Sequence, residues 1–235
     1  MALPKLETPI YELVLPSTGE KIKYRPFLVK EQKNLMTAQE GGSEKDLSLI
    51  MGELIKNCTF GKLNPDNAPI FDIEYVFLKL RTKSIGETSE VSVLCPDDAK
   101  TRVQMKVNLE DVEVQMTAEH TNEVMLTDKI KLVLRYPVLN DMSGVGDLSK
   151  ESEAIFKFLN KCIHEIHDGE KIYNRVDMNN KELDEFIDQM SSEQLTEVTQ
   201  FFTTMPRLRH VVEVTNPVTK VKSEVVVEGL INFLD

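Results

Sequence analysis

The chain has 235 residues, of which 28 are Lys or Arg and 39 are Asp or Glu, so its formal net charge at pH 7 is −11. Because a protein this acidic repels phosphate backbones, nucleic acid is not an expected partner. Three widely separated cysteines, a start without the apolar core of a signal peptide, and no apolar run near the about 18 residues of a membrane helix predict a cytoplasmic protein without membrane insertion.

The N-terminal segment has the pattern of a β-hairpin followed by a helix. Residues 10–24 alternate between apolar and polar side chains on both sides of Pro16–Gly19, which is a turn sequence. Pro26 ends the second strand, and apolar positions between residues 28 and 39 predict a short helix.

Two further helices are predicted in the first half of the chain. The apolar stripe from Leu47 to Cys58 recurs at helical spacing behind Ser43, a good N-cap residue. Cys58 closes this stripe, so we expect a buried structural thiol. The helix predicted over residues 69–83 is apolar on more than one face, and it should therefore be covered on two sides.

Strands are predicted to dominate the middle of the chain. Residues 91–95, 103–109 and 130–136 each alternate in polarity, which is typical of an antiparallel meander with one solvated face. The glycine-containing stretch 141–147 is the most linker-like segment. We therefore predict an N-terminal α+β region, 1–145, and a C-terminal α+β region, 146–235.

Helices and hairpins are predicted again in the C-terminal region. Ser149 can cap a helix whose apolar stripe runs from Ile155 to Ile163, and Asp168–Gly169 is typical of a tight hairpin turn. Two more helices follow, over residues 183–190 and after the capping-box pair Ser191 and Gln194, and two β-rich runs lie around Asn216–Pro217.

The predicted fold class is therefore α+β, with antiparallel hairpins and a meander packed against several amphipathic α-helices. The chain ends in an apolar tail that contains Leu230, Ile231, Phe233 and Leu234. Such a tail either packs on its own domain or enters a partner, and the sequence leaves both possibilities open.

A metal site is the most tempting chemical interpretation of the sequence. Cys162, His164, His167 and Asp168 carry ligand types that zinc accepts. Neither regular backbone gathers three of them: a helix separates Cys162 from His164, and a strand places His167 on the opposite face. We therefore assign no metal ligand, and the chain is expected to need no cofactor.

Other chemical motifs are incomplete. Cys95–Asp98 resembles half of a zinc knuckle, but its fourth residue is Asp and no second cysteine pair follows, so a turn between strands is the simpler interpretation. Gly144–Gly146 lacks the third glycine and the Lys-Ser/Thr pair of a phosphate loop. No catalytic residue is assigned.

Charge is unevenly distributed along the chain. Residues 164–200 contain ten acidic and three basic residues, and cations recur on predicted strands at 21–25, 129–135 and 207–209. A solvated helix face and ordinary edge protection explain both patterns. The alternative is docking, in which the acidic region meets a basic partner or the basic strands of another copy.

Seven segments of the sequence carry a resemblance to a known family: residues 3–9, 24–33, 58–61, 80–87, 204–206, 216–217 and 228–233. The most specific is the Arg-Pro-Phe-Leu-Val-Lys-Glu stretch at 25–31. Taken together, these segments resemble the baseplate hub assembly protein family of T-even-like contractile-tailed phages.

The resemblance implies a viral protein that is made in the bacterial cytoplasm and binds other hub proteins of the phage baseplate. It would act without catalysis, as an assembly factor (chaperone) or as a subunit that stays in the virion, and it could also associate with further copies of itself. The alternative is an envelope-directed hydrolase or metal-dependent enzyme of the baseplate, for which the Cys162–Asp168 segment would supply the site.

Three elements are the candidate partner contacts: the strand-to-helix segment, the acidic helices and the apolar tail. The residues that represent them are Arg25, Phe27 and Lys30, then Glu182, Asp184 and Glu185, and finally Leu230 and Phe233.

Overall fold

The computed structural model describes residues 6–41, 44–142 and 152–233, and within these ranges the chain forms seven α-helices and eleven β-strands. The helices are α1 (Val29–Gly41), α2 (Glu44–Cys58), α3 (Ile70–Ser84), α4 (Leu139–Met142), α5 (Ser152–Cys162), α6 (Asn180–Ile187) and α7 (Ser192–Thr204). The strands are β1 (Tyr11–Val14), β2 (Lys21–Tyr24), β3 (Thr88–Leu94), β4 (Arg102–Asn108), β5 (Glu113–Gln115), β6 (Glu123–Met125), β7 (Ile130–Leu134), β8 (Ile163–Asp168), β9 (Lys171–Asn174), β10 (Arg207–Thr215) and β11 (Lys222–Glu228).

The strands of the described chain pair antiparallel in four small sheets. Two are two-stranded, β1-β2 and β3-β4, one has the order β11-β10-β5, and one has the order β6-β7-β8-β9. The predicted α+β fold with antiparallel hairpins is therefore confirmed.

The chain folds into two compact units. Unit 1 contains residues 1–115 and 207–235, and unit 2 contains residues 116–206. This division differs from the predicted regions 1–145 and 146–235, because β7 pairs with β8 across the predicted boundary and β10 returns to pair with β5. Most of the predicted linker, including Gly144–Gly146, lies outside the described residues, as do the two predicted N-caps Ser43 and Ser149.

The first hairpin of unit 1 forms as predicted and is fixed to a helix. Its turn places Gly19 at a φ of +70°, which glycine adopts without steric cost. The Ser17 amide donates to Asp72 Oδ1 at 3.0 Å, and the Ser17 hydroxyl donates to the second oxygen of the same carboxylate. Because Asp72 lies in the first turn of α3, this contact joins the hairpin to that helix.

Helix α3 lies in the core of unit 1. Ten of its residues are buried, and they include charged as well as apolar side chains. The helix contacts α2 as well as β5, β10 and the 3₁₀ turn Leu109–Asp111. Its residues 76–82 are all buried, and because seven consecutive residues cover every face of a helix, the predicted covering on two sides is confirmed. The stripe of α2 is also buried at Leu54, Ile55 and Cys58, as predicted.

Unit 2 packs helices against the four-stranded sheet. Its core includes Leu132 and Leu134 of β7, Leu159 of α5, and Val198 and Phe201 of α7. The predicted turn at Asp168–Gly169 joins β8 to β9, with the φ of Gly169 at +63°.

Capping boxes begin both α6 and α7. The box at α7 uses the predicted pair, Ser191 and Gln194, and the box at α6 uses Asn179 and Glu182. Each box satisfies amide donors that a helix N-terminus would otherwise leave free.

Candidate partner-binding surfaces

The corner between β2 and α1 is held by a buried ion pair. Arg25 donates from Nη2 to Glu31 Oε1 at 2.7 Å and from Nη1 to Glu31 Oε2 at 3.0 Å, so the pair is bidentate. The side chains are 14% and 6% exposed, respectively. The Leu28 amide donates to Glu31 Oε2 at 2.7 Å and occupies the carboxylate further.

These contacts keep Glu31 ionised. Burial alone would raise the pKa of Glu31, but the hydrogen bonds from Arg25 and from the Leu28 amide, together with the charge of Arg25, lower that pKa below its ordinary value. The carboxylate is therefore a fixed negative charge that holds the corner together.

Two of the three candidate contacts in this segment belong to the interior. Phe27 is buried, and its amide donates to Ser84 Oγ at 3.0 Å, while Arg25 is bound to Glu31. Both side chains therefore contact the protein's own core, and the expectation that Arg25 and Phe27 contact a partner stays a prediction. Lys30 is exposed and stays a candidate.

The acidic candidates on α6 are exposed, and each also has a contact within the chain. Glu182 closes the capping box by accepting a hydrogen bond from the Asn179 amide at 3.0 Å. Asp184 accepts from Asn160 Nδ2 at 2.6 Å, and Glu185 makes a loose pair with the lysine one turn before it, at 3.6 Å. Of the three, Glu185 is therefore the most available to a partner.

The apolar tail packs on its own domain where the structure describes it. Leu230 and Phe233 lie in the core of unit 1, with Phe233 fully buried, and the Leu230 amide donates to Glu74 Oε1 at 3.3 Å. Of the two possibilities left open by the sequence, the structure shows packing on the chain's own unit, and the contact of Leu230 and Phe233 with a partner stays a prediction. Ile231 is 83% exposed, and Leu234 lies outside the described residues.

The segment that suggested a metal site divides between two elements. Cys162 is the last residue of α5 and is buried, and β8 begins at the next residue. His164 is exposed, and His167 Nε2 lies 2.7 Å from Glu165 Oε2. Within residues 6–41, 44–142 and 152–233, no three His, Cys, Asp or Glu side chains are placed to hold a metal ion.

Burial of Cys162 makes its thiol unreactive. Desolvation raises the pKa of this thiol to about 12. Because the thiolate is the reacting species, alkylation of Cys162 by iodoacetamide at pH 8 should be more than about a hundredfold slower in the folded chain than in the chain unfolded by guanidinium chloride. Mass spectrometry of the peptide that contains Cys162 measures both rates, and equal rates would contradict the buried position.

The turn interpretation of Cys95–Asp98 is confirmed. Residues 96–98 form the turn between β3 and β4, and Cys95 is buried. The carboxylate of Asp97 accepts from Asn216 Nδ2 at 3.0 and 3.1 Å, which ties this turn to the turn between β10 and β11. These two turns therefore support each other at one end of unit 1.

Most of the strand cations that suggested a basic docking face are paired within the chain. Arg207 and Arg209 both bind Glu228, and Arg209 Nε lies 2.7 Å from that carboxylate. Lys131 Nζ lies 3.0 Å from Glu123 Oε1. These pairs leave less positive charge on the sheets than the strand sequences suggest.

The sheet β11-β10-β5 has an exposed apolar face that is not among the predicted contact surfaces. Val211 and Val226 are cross-strand neighbours and are 47% and 54% exposed. At the rung two residues along, Glu213 lies opposite Glu224, and like charges opposite each other destabilise a sheet. The exposure of Val211 could have been predicted from the alternation of β10. Val211 directly precedes the buried Val212, so its side chain points to the opposite face of the sheet.

Comparisons with known proteins bear on the family to which the chain belongs. No helix within the described ranges is both long enough and apolar enough to cross a membrane. Neither the curated proteins nor the solved structures gave a match. The family model described as T4 bacteriophage base plate protein matches residues 8–235. Since this match covers nearly the whole sequence, the chain belongs to the T4 bacteriophage base plate protein family.

Proposed function

We propose that the chain is a non-enzymatic baseplate protein that binds other proteins of the central hub, as an assembly factor or as a hub subunit. The observation that carries this proposal is the family match over residues 8–235. It acts in the bacterial cytoplasm while the baseplate is built, and the subunit form of the proposal also places it in the virion.

The chemistry of the described side chains supports binding over catalysis. The three cysteines are buried, and burial raises the pKa of each thiol. His120 stacks against Tyr136 and lies near Phe201, with ring centroids 5.6 and 5.1 Å away, and burial lowers its pKa. These three thiols and this imidazole are therefore less suited to act as nucleophiles or bases than exposed ones, which supports the proposal.

Affinity purification of the tagged chain from infected cells tests the proposal. We expect at least one other baseplate hub protein to co-purify, and mass spectrometry identifies it. The same analysis of purified virions separates the two forms of the proposal, because a subunit is present in the virion and an assembly factor is not. A folded tagged chain that brings down no baseplate protein would refute the proposal.

A further inference from the structure

A groove of about 370 Å³ lies in unit 2 between the edge strand β6 and one face of α7. All three residues of β6 line one wall. The other wall is formed by Glu197, Gln200, Phe201 and Thr204, whose spacing places them on one face of the helix. Ligand sites measure about 300–1,000 Å³, so this groove has room for a few side chains.

The outer edge of β6 is open to a further strand. Its only neighbour in the described sheet is β7, in which Leu132 is paired with Val124. The Leu126 amide donates to the carbonyl of Ile130, two residues beyond this pair. Antiparallel ladders alternate, so the backbone groups of Val124 point toward β7 and those of its two neighbours point away.

Met125 supplies the free donor and acceptor on that edge. The amide of Glu123 is already occupied, because it donates to Thr121 Oγ1 at 3.1 Å. The amide and carbonyl of Met125 have no hydrogen-bond partner within the described ranges, and its side chain is 55% exposed. An extended segment that added to β6 would bond here.

Charge and apolar surface in the groove specify what that segment should carry. Three acidic residues line the groove, Glu119, Glu123 and Glu197. Glu123 is paired with a lysine, whereas Glu119 and Glu197 are exposed and have no ion-pair partner among the described residues. The floor is apolar at Val124 and Phe201. Lysine and arginine match this combination, because they place an aliphatic stem on apolar surface and a charged head beside carboxylates.

We propose that the groove between β6 and α7 binds an extended segment of a partner protein that alternates basic and apolar residues, by strand addition to β6. The inference rests on the proposed function in one respect, since the partner is taken to be another baseplate protein. Main-chain hydrogen bonds to Met125 supply part of the affinity, and the carboxylates select basic segments.

Peptide binding to purified full-length chain tests the inference directly. The probe is a blocked peptide of five residues that alternates lysine and valine, and its counterpart replaces lysine by glutamate. We expect Glu197→Lys to weaken binding of the basic peptide about fivefold or more, because a groove charge is reversed. Glu170→Lys, in the exposed turn between β8 and β9, makes the same change in net charge and should leave binding within about twofold.

A second variant tests strand addition apart from charge. Met125→Pro removes the outward amide without removing a hydrogen bond to β7, and it should weaken binding of the basic peptide without changing the charge of the groove. Circular dichroism establishes that each variant is folded. Glu197→Lys is on an exposed helix face and keeps the test decisive if Met125→Pro does not fold.

Three results would overturn the inference. The first is an equal loss of basic-peptide affinity in Glu197→Lys and Glu170→Lys, and the second is equal binding of the basic and the acidic peptide. The third is occupation of the groove by a second copy of the chain, seen as concentration-dependent dimerisation that both groove variants abolish. Co-purification from infected cells separates this inference from the proposed function. If the wild type and both groove variants recover the same baseplate proteins in equal amounts, the groove is not the contact and the proposed function stands. If the wild type recovers none, the proposed function itself fails.

Discussion

Replacement of Glu31 by glutamine is expected to lower the free energy of unfolding by about 3 kcal/mol, because it leaves the buried guanidinium of Arg25 without its counter-charge. The variant also weakens the acceptor that the Leu28 amide uses. Urea denaturation of the two proteins at pH 7 measures the difference, provided that the transition is two-state.

The exposed neighbour Lys30 supplies the control. Its replacement by glutamine removes a charge from the same segment without opening a buried pair, and it should change stability by no more than about 0.5 kcal/mol. If the free energy of unfolding of Glu31→Gln were within about 0.5 kcal/mol of that of the wild type, the stabilising role of the Arg25–Glu31 pair would be contradicted.

The pH dependence of this difference has a defined sign. The pKa of Glu31 is lower in the folded chain than in the unfolded chain, where a glutamate titrates near about 4.3. The stability that the carboxylate supplies is therefore complete above that unfolded pKa, and it is lost as the pH falls through the folded pKa. The stability difference between wild type and Glu31→Gln should shrink steadily as the pH is lowered below about 4.3.

Replacement of Phe233 by alanine is expected to cost about 3–5 kcal/mol, the range for removing a buried aromatic side chain from a core. Phe233 is fully buried in unit 1 although it lies only two residues from the end of the chain. Thermal unfolding of Phe233→Ala and of the wild type measures the loss as a fall in melting temperature.

Ile231 is the matched control for the same tail. Its side chain is 83% exposed, so Ile231→Ala should change stability by less than about 0.5 kcal/mol. If instead Phe233→Ala were as stable as the wild type and only its co-purification with baseplate proteins were lost, the tail would be a partner contact, and its buried position would be contradicted.

Local sequence signals predicted the elements whose cause lies within a few residues. The capping box of Ser191 with Gln194 and the hairpin turn at Gly169 are both decided by neighbours in the sequence. The buried stripe that ends at Cys58 follows from helical periodicity in the same way.

Features that depend on tertiary pairing were not predictable from those signals. Glu31, the partner of Arg25, is six residues away, beyond the spacing at which helix or strand geometry would place two side chains together. From the sequence, Arg25 therefore has the pattern of a surface cation although it belongs to a buried pair. The later part of the predicted α5 stripe, Leu159, Cys162 and Ile163, is buried as expected. At its start Phe156 is 39% exposed, and the buried ring is instead that of Phe158, which packs 5.2 Å from the ring of Phe202 in α7.

The candidate site shows the same limit. Lys30 and Glu185 are exposed, as the polarity of lysine and glutamate predicts, and their contact with a partner stays a prediction. The open edge of β6 was not identified, since an edge exists only once the order of the strands is known. The acidic residue Glu197 was counted in the charged segment 164–200 without any indication that it faces a groove.

The proposed role of this chain is to bind other baseplate proteins. Size-exclusion chromatography of the tagged chain from infected cells, with the protein composition of each fraction determined by mass spectrometry, tests this role. We expect the chain to elute in a complex that contains another baseplate protein in a fixed ratio. Elution of the folded chain alone, at every stage of infection, would contradict it.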